Sequence, residues 1–318
     1  MSSPSALPLR VAALPFASAC AAREKPPFAA IAERLNELAR EHVSLAVFPE
    51  MSLVGAARME RLRRTELEAL SEPLDGPSIA AVSRAVEMSG VAAGVGWIER
   101  ANDGALYNSY VVCMPDGARH VHRKLYPMES PHLRSGALFD VFDTPWGIKM
   151  SILIGADNYM PENARVAALK GATLLVAPHR SSVGPGVSLR PDWLARSIPA
   201  RAGENGMFAV LCDARAEPRG ACKPGEAMIA DPCGVVIARG EHPERPMATA
   251  SIDPELARHS EARRWLTARR PELYASLIAS EAKEGGDARP WAQPEREVRA
   301  RGSVAVSFAV VGRKRPIR

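Results

Sequence analysis

Short apolar runs alternate with amphipathic stretches along most of the chain, and their spacing predicts an α/β protein. Residues 9–14 form the first apolar run and predict a buried strand. Residues 27–42 follow, with Ile31, Leu35 and Leu38 at helical spacing on one face. Residues 45–48 predict a short buried strand that stops at Pro49-Glu50. Residues 77–88 predict a second helix with Ala81, Val82, Ala85 and Val86 inward, and residues 91–97 and 106–114 predict two more strands. Pro115-Asp116-Gly117 is a turn signal, since Pro presets φ and Gly accepts a positive one, and it joins 106–114 to 120–124 as a hairpin. A loop over 125–136, a strand over 138–143 and a Pro-Trp-Gly turn at 145–147 complete the first half.

The stretch 151–172 organises the rest. Residues 151–154 read as a central strand, 155–159 as a sharp turn, and Pro161 as the first turn of a helix, where its missing N–H costs nothing. Ala164, Val166, Ala167, Ala168 and Leu169 fit the buried face of that helix, and Gly171 closes it. A strand follows at 173–177. A strand–turn–helix places the turn at the carboxyl end of a sheet, where α/β proteins hold ligands and where a nucleophile can sit on a tight elbow. Downstream, the Gly/Pro/Ser-rich segment 178–192 predicts a loop of the kind that shapes the mouth of a site. Residues 191–204 read as a helix, 207–212 as a strand, 227–230 and 235–238 as a hairpin, 248–252 as a last sheet strand and 254–267 as a helix. Two sets of strands each followed by helices predict two sheets face to face with helices outside.

Composition narrows the function classes. The 318 residues can bury one large core, and 47% hydrophobic with 24% charged residues is ordinary for a globular protein. The net charge of +5 gathers late, at Arg301 and over 313–318, and no basic stripe interleaves with aromatics, so nucleic acid is not an expected partner. No apolar run approaches a membrane span. Cys20, Cys113, Cys212, Cys222 and Cys233 are scattered and odd in number, without CxxC or Cys/His ligand spacing; neither a metal site nor a disulfide framework is expected, and a reducing cytoplasm is the simplest location. Arg10 with VAALPFASACAA imitates an export signal, but Pro15 interrupts it and the same residues read as a core strand. From residue 279 the chain turns charged and Gly-rich before the β-prone SVAVSFAVV at 303–311. Unpaired, that segment is an aggregation hazard, so it is expected on a sheet edge or across a subunit boundary.

NYMPENARVAALKGA after an apolar strand, together with VFPE and HRKL upstream, resembles the nitrilase superfamily of carbon–nitrogen hydrolases. NYMP and the preceding WGIKMSILI resemble the nitrilase branch more than the amidase branches. The resemblance covers roughly residues 9–277. It implies a two-sheet α-β-β-α sandwich over 1–278, with 279–318 as an extension, and a homodimer or larger homo-oligomer. It also implies hydrolysis of a small amide or nitrile without cofactor, by a Glu that shuttles protons, a Lys that stabilises the tetrahedral intermediate and a nucleophilic Cys. Glu50 and Lys124 match the first two, while the position of the Cys reads Gly155.

Each position also has a plainer reading. Glu50 closes an apolar strand, which charged residues rarely do unless they serve a site or cap the next turn. Lys124 beside Arg123 reads by itself as a solvated face. Glu129 matches a second glutamate that many family members carry in this loop, or else it is a surface carboxylate. Gly155 fits a strained elbow but can form no thioester. Ser151, four residues back, lies too deep in its strand to replace a thiol. Asp157 supports the turn, and the Ala156 N–H is placed to donate to a developing oxyanion. Tyr159 and Met160 are expected to line or floor the site, and His179 and Arg180 to touch substrate or lie in an exposed loop, with Arg190 and Trp193 shaping specificity. Glu162 and Arg165 are expected to pair along their helix. Two functions remain open: a hydrolase whose nucleophile is missing or replaced by activated water, and a non-catalytic member that binds a small polar ligand or serves as an assembly subunit.

Overall fold

β1 (Leu9–Ala13) is buried almost throughout, and its neighbours explain why. It pairs in parallel with β2 (Leu45–Val47) and antiparallel with β12 (Ala248–Ile252), so both edges are covered. The computed structural model describes residues 9–15, 26–54, 59–182, 193–216, 222–240 and 246–278. The extension at 279–318, with its predicted edge strand, and Arg190 lie outside them.

Two six-stranded sheets form the centre. In the first, β3 (Ala92–Arg100) runs parallel to β2, and β4 (Leu106–Cys113) and β5 (Arg119–Arg123) follow antiparallel, for the order β12-β1-β2-β3-β4-β5. The second holds β6 (Val141–Asp143), β7 (Lys149–Ile152), β8 (Leu174–Ser182), β9 (Phe208–Ala216), β10 (Cys222–Ala230) and β11 (Val236–Arg239), in the order β11-β10-β9-β8-β7-β6. β7, β8 and β9 are parallel. The sheets meet across an apolar layer that includes Val11, Val47, Tyr110, Ile152, Val176, Val210 and Ile229. Tyr110 is fully buried and its hydroxyl donates to Phe48 O at 2.7 Å, which satisfies its one polar atom.

Helices close both outer faces. α1 (Pro27–Arg40) sets Ile31, Leu35 and Leu38 against the first sheet as its periodicity predicts. α2 (Arg64–Leu70) buries Leu67, and α3 (Pro77–Ser89) buries Ile79, Val82, Ser83 and Val86. α4 (Pro161–Leu169) and α5 (Trp193–Asn205) cover the second sheet, and Leu266 of α7 (Glu261–Thr267) joins their cluster. Fully burying one such aliphatic side chain contributes about 1.5–3 kcal/mol. The layers are therefore α-β-β-α, as expected.

Several local readings change. α2 has only one buried apolar position, so its seven residues leave no periodic signal, and it was not expected. β8 runs on to Ser182 and absorbs the first part of the predicted loop, because β9 offers a partner at every position from Leu174↔Phe208 to Ser182↔Ala216. The strand predicted over 138–143 is ordered as one only from Val141, where β7 begins to pair. The helix predicted over 254–267 is two helices, α6 (Pro254–Arg258) and α7, separated at His259-Ser260. On α4, Asn163 is buried and Leu169 is 46% exposed, a rotation of the expected face. Arg165 donates to Glu204 O at 2.9 Å, a tertiary acceptor in place of the expected Glu162. Cys113 and Cys212 are buried as predicted, and Cys233 is exposed.

Candidate active site

Three chain segments converge at the carboxyl ends of β2, β5 and β7. Glu50 follows β2 in a turn that presses against β3. Phe48 N donates to Gly94 O at 3.0 Å, Leu53 N to Gly96 O at 2.9 Å, and Gly96 N to Ser52 Oγ at 3.1 Å. A Cβ on Gly96 would run into Met51 N, so the turn can sit this close only because residue 96 is glycine. Met51 itself takes φ 55°, a left-handed conformation that a non-glycine residue adopts only under constraint.

Lys124 leaves β5 with its backbone N–H on Asn108 O at 2.8 Å. Its ammonium lies 2.6 Å from Glu50 Oε1 and 2.8 Å from Glu129 Oε2. Asn108 completes the cluster: its Nδ2 donates to Glu50 Oε1 at 2.6 Å and also to Glu129 Oε1. One amide nitrogen facing two carboxylates fixes the orientation of that side chain. Glu50 and Lys124 are 5% and 4% exposed, so this is a dry ion cluster and not a solvated face. Burial opposes the charge on Lys124, but the attraction of Glu129 and Glu50 and their hydrogen bonds outweighs it and holds the ammonium above its ordinary range. The plainer readings of Lys124 and Glu129 are thereby set aside.

Gly155 opens the single turn of 3₁₀ helix Gly155–Tyr159 after β7, with φ +50°. A Cβ built on it would lie 2.6 Å from Glu50 Oε2 and 2.9 Å from Lys124 Nζ. Any side chain at 155 therefore emerges between the carboxylate and the ammonium. Ala156 is buried beside it. Ser151 is buried too, and its hydroxyl donates to Asp140 O at 2.9 Å, in line with a residue too deep to act.

Asp157 does more than support its own turn. Its Oδ1 accepts from Leu125 N and Tyr126 N, both at 3.0 Å, and its Oδ2 accepts from Ile154 N at 3.1 Å. One buried carboxylate thus ties the Lys124 segment of the first sheet to the elbow of the second. His122, with a fully buried side chain, stands between Asp140 (Nδ1 to Oδ2, 3.0 Å) and Asp157 (Nε2 to Oδ2, 3.4 Å). Burial works against its charge, but the two aspartates outweigh that and raise its pKa above the usual histidine value. A group so raised adds stability that is fully present below about pH 6.5 and is lost as pH rises through the folded-state value. The urea midpoint of the chain is therefore expected to fall on going from pH 6.5 to pH 9, and to fall less in His122→Asn. Equal slopes in both proteins would remove His122 as the source.

The remaining expected residues divide. Tyr159 packs edge-to-face on Trp193 at 4.7 Å between ring centroids and at 6.1 Å from His179. His179 is buried and Arg180 half-buried within β8, not in an exposed loop. Arg180 Nη1 lies 3.8 Å from Met51 Sδ, which brings β8 to the Glu50 turn. Met160 is 41% exposed just before α4, whose first residue is Pro161. Asn108, His122 and Asp213 were not picked out from sequence. Asn108 in LYNSYVVC left one signal, an amide in an otherwise apolar strand, which when buried must find partners. Among the described residues, no group of three His, Cys, Asp or Glu is placed to hold a metal ion, and no helix is long and apolar enough to cross a membrane.

Residues 10–261 match the carbon-nitrogen hydrolase family. The chain belongs to this family. A nitrilase from Pyrococcus abyssi is 31% identical over 232 residues, which are 72% of this chain and 84% of the relative. Among solved structures, a carbon-nitrogen hydrolase from Helicobacter pylori G27 superposes with a TM-score of 0.70 at 20% identity, over 86% of this chain and 98% of that one. An amidase from Nesterenkonia sp. AN1, in a variant showing covalent addition of the acetamide moiety of fluoroacetamide at its active site cysteine, superposes with a TM-score of 0.64 at 18% identity, over 86% and 98%. At such identities the two structures speak to the shared nitrilase-superfamily sandwich. The family's α-β-β-α layering is the one described above.

Proposed function

We propose that this carbon–nitrogen hydrolase carries a site for a small amide or nitrile in which Gly155 stands at the nucleophile's position. Glu50, Lys124 and Glu129 are the retained machinery. One observation supports this reading above the rest: the direction of a side chain at 155, which would enter between Glu50 Oε2 and Lys124 Nζ. A thiol there would meet a carboxylate able to take its proton and a cation able to hold the thiolate and then the tetrahedral oxyanion. Glu129 and Asn108 keep Lys124 and Glu50 in place, and the Ala156 N–H is the second oxyanion donor. The covalent addition in the Nesterenkonia structure is at its active site cysteine. Glycine offers no thiol, so this chain forms no thioester.

A second reading has its own support. A Cβ at 155 would come within 2.6 Å of Glu50 Oε2 and force that side chain to shift, so the present packing suits glycine and with it a binding protein over a hydrolase. Ammonia release from a panel of amides and nitriles, by the chain and by Gly155→Cys, separates the two. Turnover by the variant alone means an intact site that lacks its nucleophile. Turnover by the unchanged chain means a route through activated water. Silence from both leaves the binding reading. The fuller proposal places one hydrolase-like domain at residues 1–278 in a reducing cytoplasm, as a homo-oligomer joined by helices near the site, with 279–318 as an edge-strand or subunit-crossing extension. The scattered cysteines, of which Cys113, Cys212 and Cys233 are free among the described residues, and family habit support it.

A further inference from the structure

Along β8, Leu175 and Ala177 point to the helix-side core, and along β9 so do Ala209 and Leu211. Two residues further on, the same row turns polar on both strands. His179 and Asp213 are direct partners in the parallel ladder. Both are buried, at 5% and 2% exposure, and His179 Nδ1 lies 3.6 Å from Asp213 Oδ1. Asp213 is pinned by Ser181 N, which donates to its Oδ1 at 2.8 Å. Burial disfavours its charge, yet the attraction of His179 and the Ser181 bonds prevail, and the carboxyl is held below its usual range. Beyond that pairing, among the described residues, neither ring nitrogen of His179 has a hydrogen-bond partner. Buried polar atoms of native proteins are nearly always satisfied, so an unpartnered ring calls for an explanation such as a functional role or a bound water or ion. The ring packs against Tyr159, four residues after Gly155. Burial raises the pKa of the Tyr159 hydroxyl, and the charges of Lys124, Glu50 and Asp213 all act on it.

We propose that His179, oriented by Asp213, is a specificity-determining residue that hydrogen-bonds a hydroxyl or amino group on the acyl side of the amide or nitrile bound at Glu50 and Lys124. The inference rests on the reading of that site given above. Nδ1 faces the carboxylate of Asp213, so Nε2 is the ring nitrogen left for the ligand, and a hydroxyl or amino group can hydrogen-bond with it. Plain aliphatic amides leave that nitrogen unmatched. A site built around a buried hydrogen bond rejects the analogue that lacks the group, so the discrimination is expected to be about tenfold or more.

The test compares lactamide and 3-hydroxypropionamide with propionamide. In the Gly155→Cys background, kcat/KM for the better hydroxyamide is expected to exceed that for propionamide by about tenfold or more, and His179→Gln is expected to bring the ratio close to one. A ratio near one before His179 is altered, or an unchanged ratio in His179→Gln, overturns the inference while leaving the hydrolase reading intact. A second measurement needs no catalysis and no altered histidine. In the unchanged chain, the imidazole nitrogen resonances of His179 are followed by NMR during titration with each amide. A shift with a hydroxyamide and not with propionamide supports the contact even if Gly155→Cys releases no ammonia, in which case only the hydrolase reading fails. No shift with either hydroxyamide, or an equal shift with propionamide, overturns the inference.

Discussion

Gly155→Cys is expected to gain amide or nitrile hydrolysis by at least about a thousandfold over the unchanged chain, and to lose stability as it does so. The gain follows from position. Removing a nucleophile from a machinery that acts as a unit costs roughly 10³–10⁶ in rate, so restoring it should recover an effect of that order. The loss follows from the backbone and the packing. At φ +50° a residue with a Cβ costs about 1–2 kcal/mol relative to glycine. The new Cβ would also sit 2.6 Å from Glu50 Oε2, so the carboxylate must swing aside and loosen its pairing with Lys124. A total of about 1–3 kcal/mol is expected, measured as a drop in urea unfolding free energy. The two readouts are independent. If the variant is silent but destabilised, the geometry is right and the chemistry is wrong. If it is silent and fully stable, residue 155 does not face Glu50, and the site has been placed wrongly.

Lys124→Ala carries the second large effect. It would leave Glu50 and Glu129 sharing a water-poor site with Asn108 as their only common donor among the described residues. Removing one partner of a buried ion cluster typically costs 3–5 kcal/mol, because the charges left behind are neither solvated nor paired. An exposed pair behaves differently. Arg134 and Asp103, both more than half exposed at 2.8 Å, are screened by solvent and should contribute little, so Arg134→Ala is the matched control. Adding Glu50→Gln to Lys124→Ala should recover part of the loss, since it removes one uncompensated charge. Binding supplies a separate check. A small amide or nitrile found by thermal-shift screening should no longer bind Lys124→Ala; unchanged binding would place the ligand elsewhere.

Much of this site can be read from local chemistry. Glu50 ends an apolar strand, Lys124 follows a hairpin, and Gly155 sits at a strand-to-helix turn opened by Pro161. All three mark carboxyl ends of strands, where a sheet displays its functional groups. Glu129 could not be assigned by the same means, since a carboxylate in a loop looks alike whether it faces water or a lysine. For His179 and Arg180 the sequence left a strand end and an exposed loop open, because Gly, Pro and Ser follow them; the pairing partner supplied by β9 extends β8 through them.

The sequence by itself determined the elements, the two-sheet layering and the identity of three of the cluster's residues, because strand periodicity, proline and glycine positions and the family motifs act over a few residues at a time. Only the tertiary structure decided which charges meet. Glu50 and Lys124 are 74 residues apart, Asn108 and Glu50 are 58 apart, and Asp157 reaches 32 residues back to Leu125. Whether a buried charge is compensated depends on which groups share its water-free volume, and that is set by where strand ends from two different sheets come to rest. No local propensity encodes it, and the same holds for the approach of Glu50 and Lys124 to Gly155.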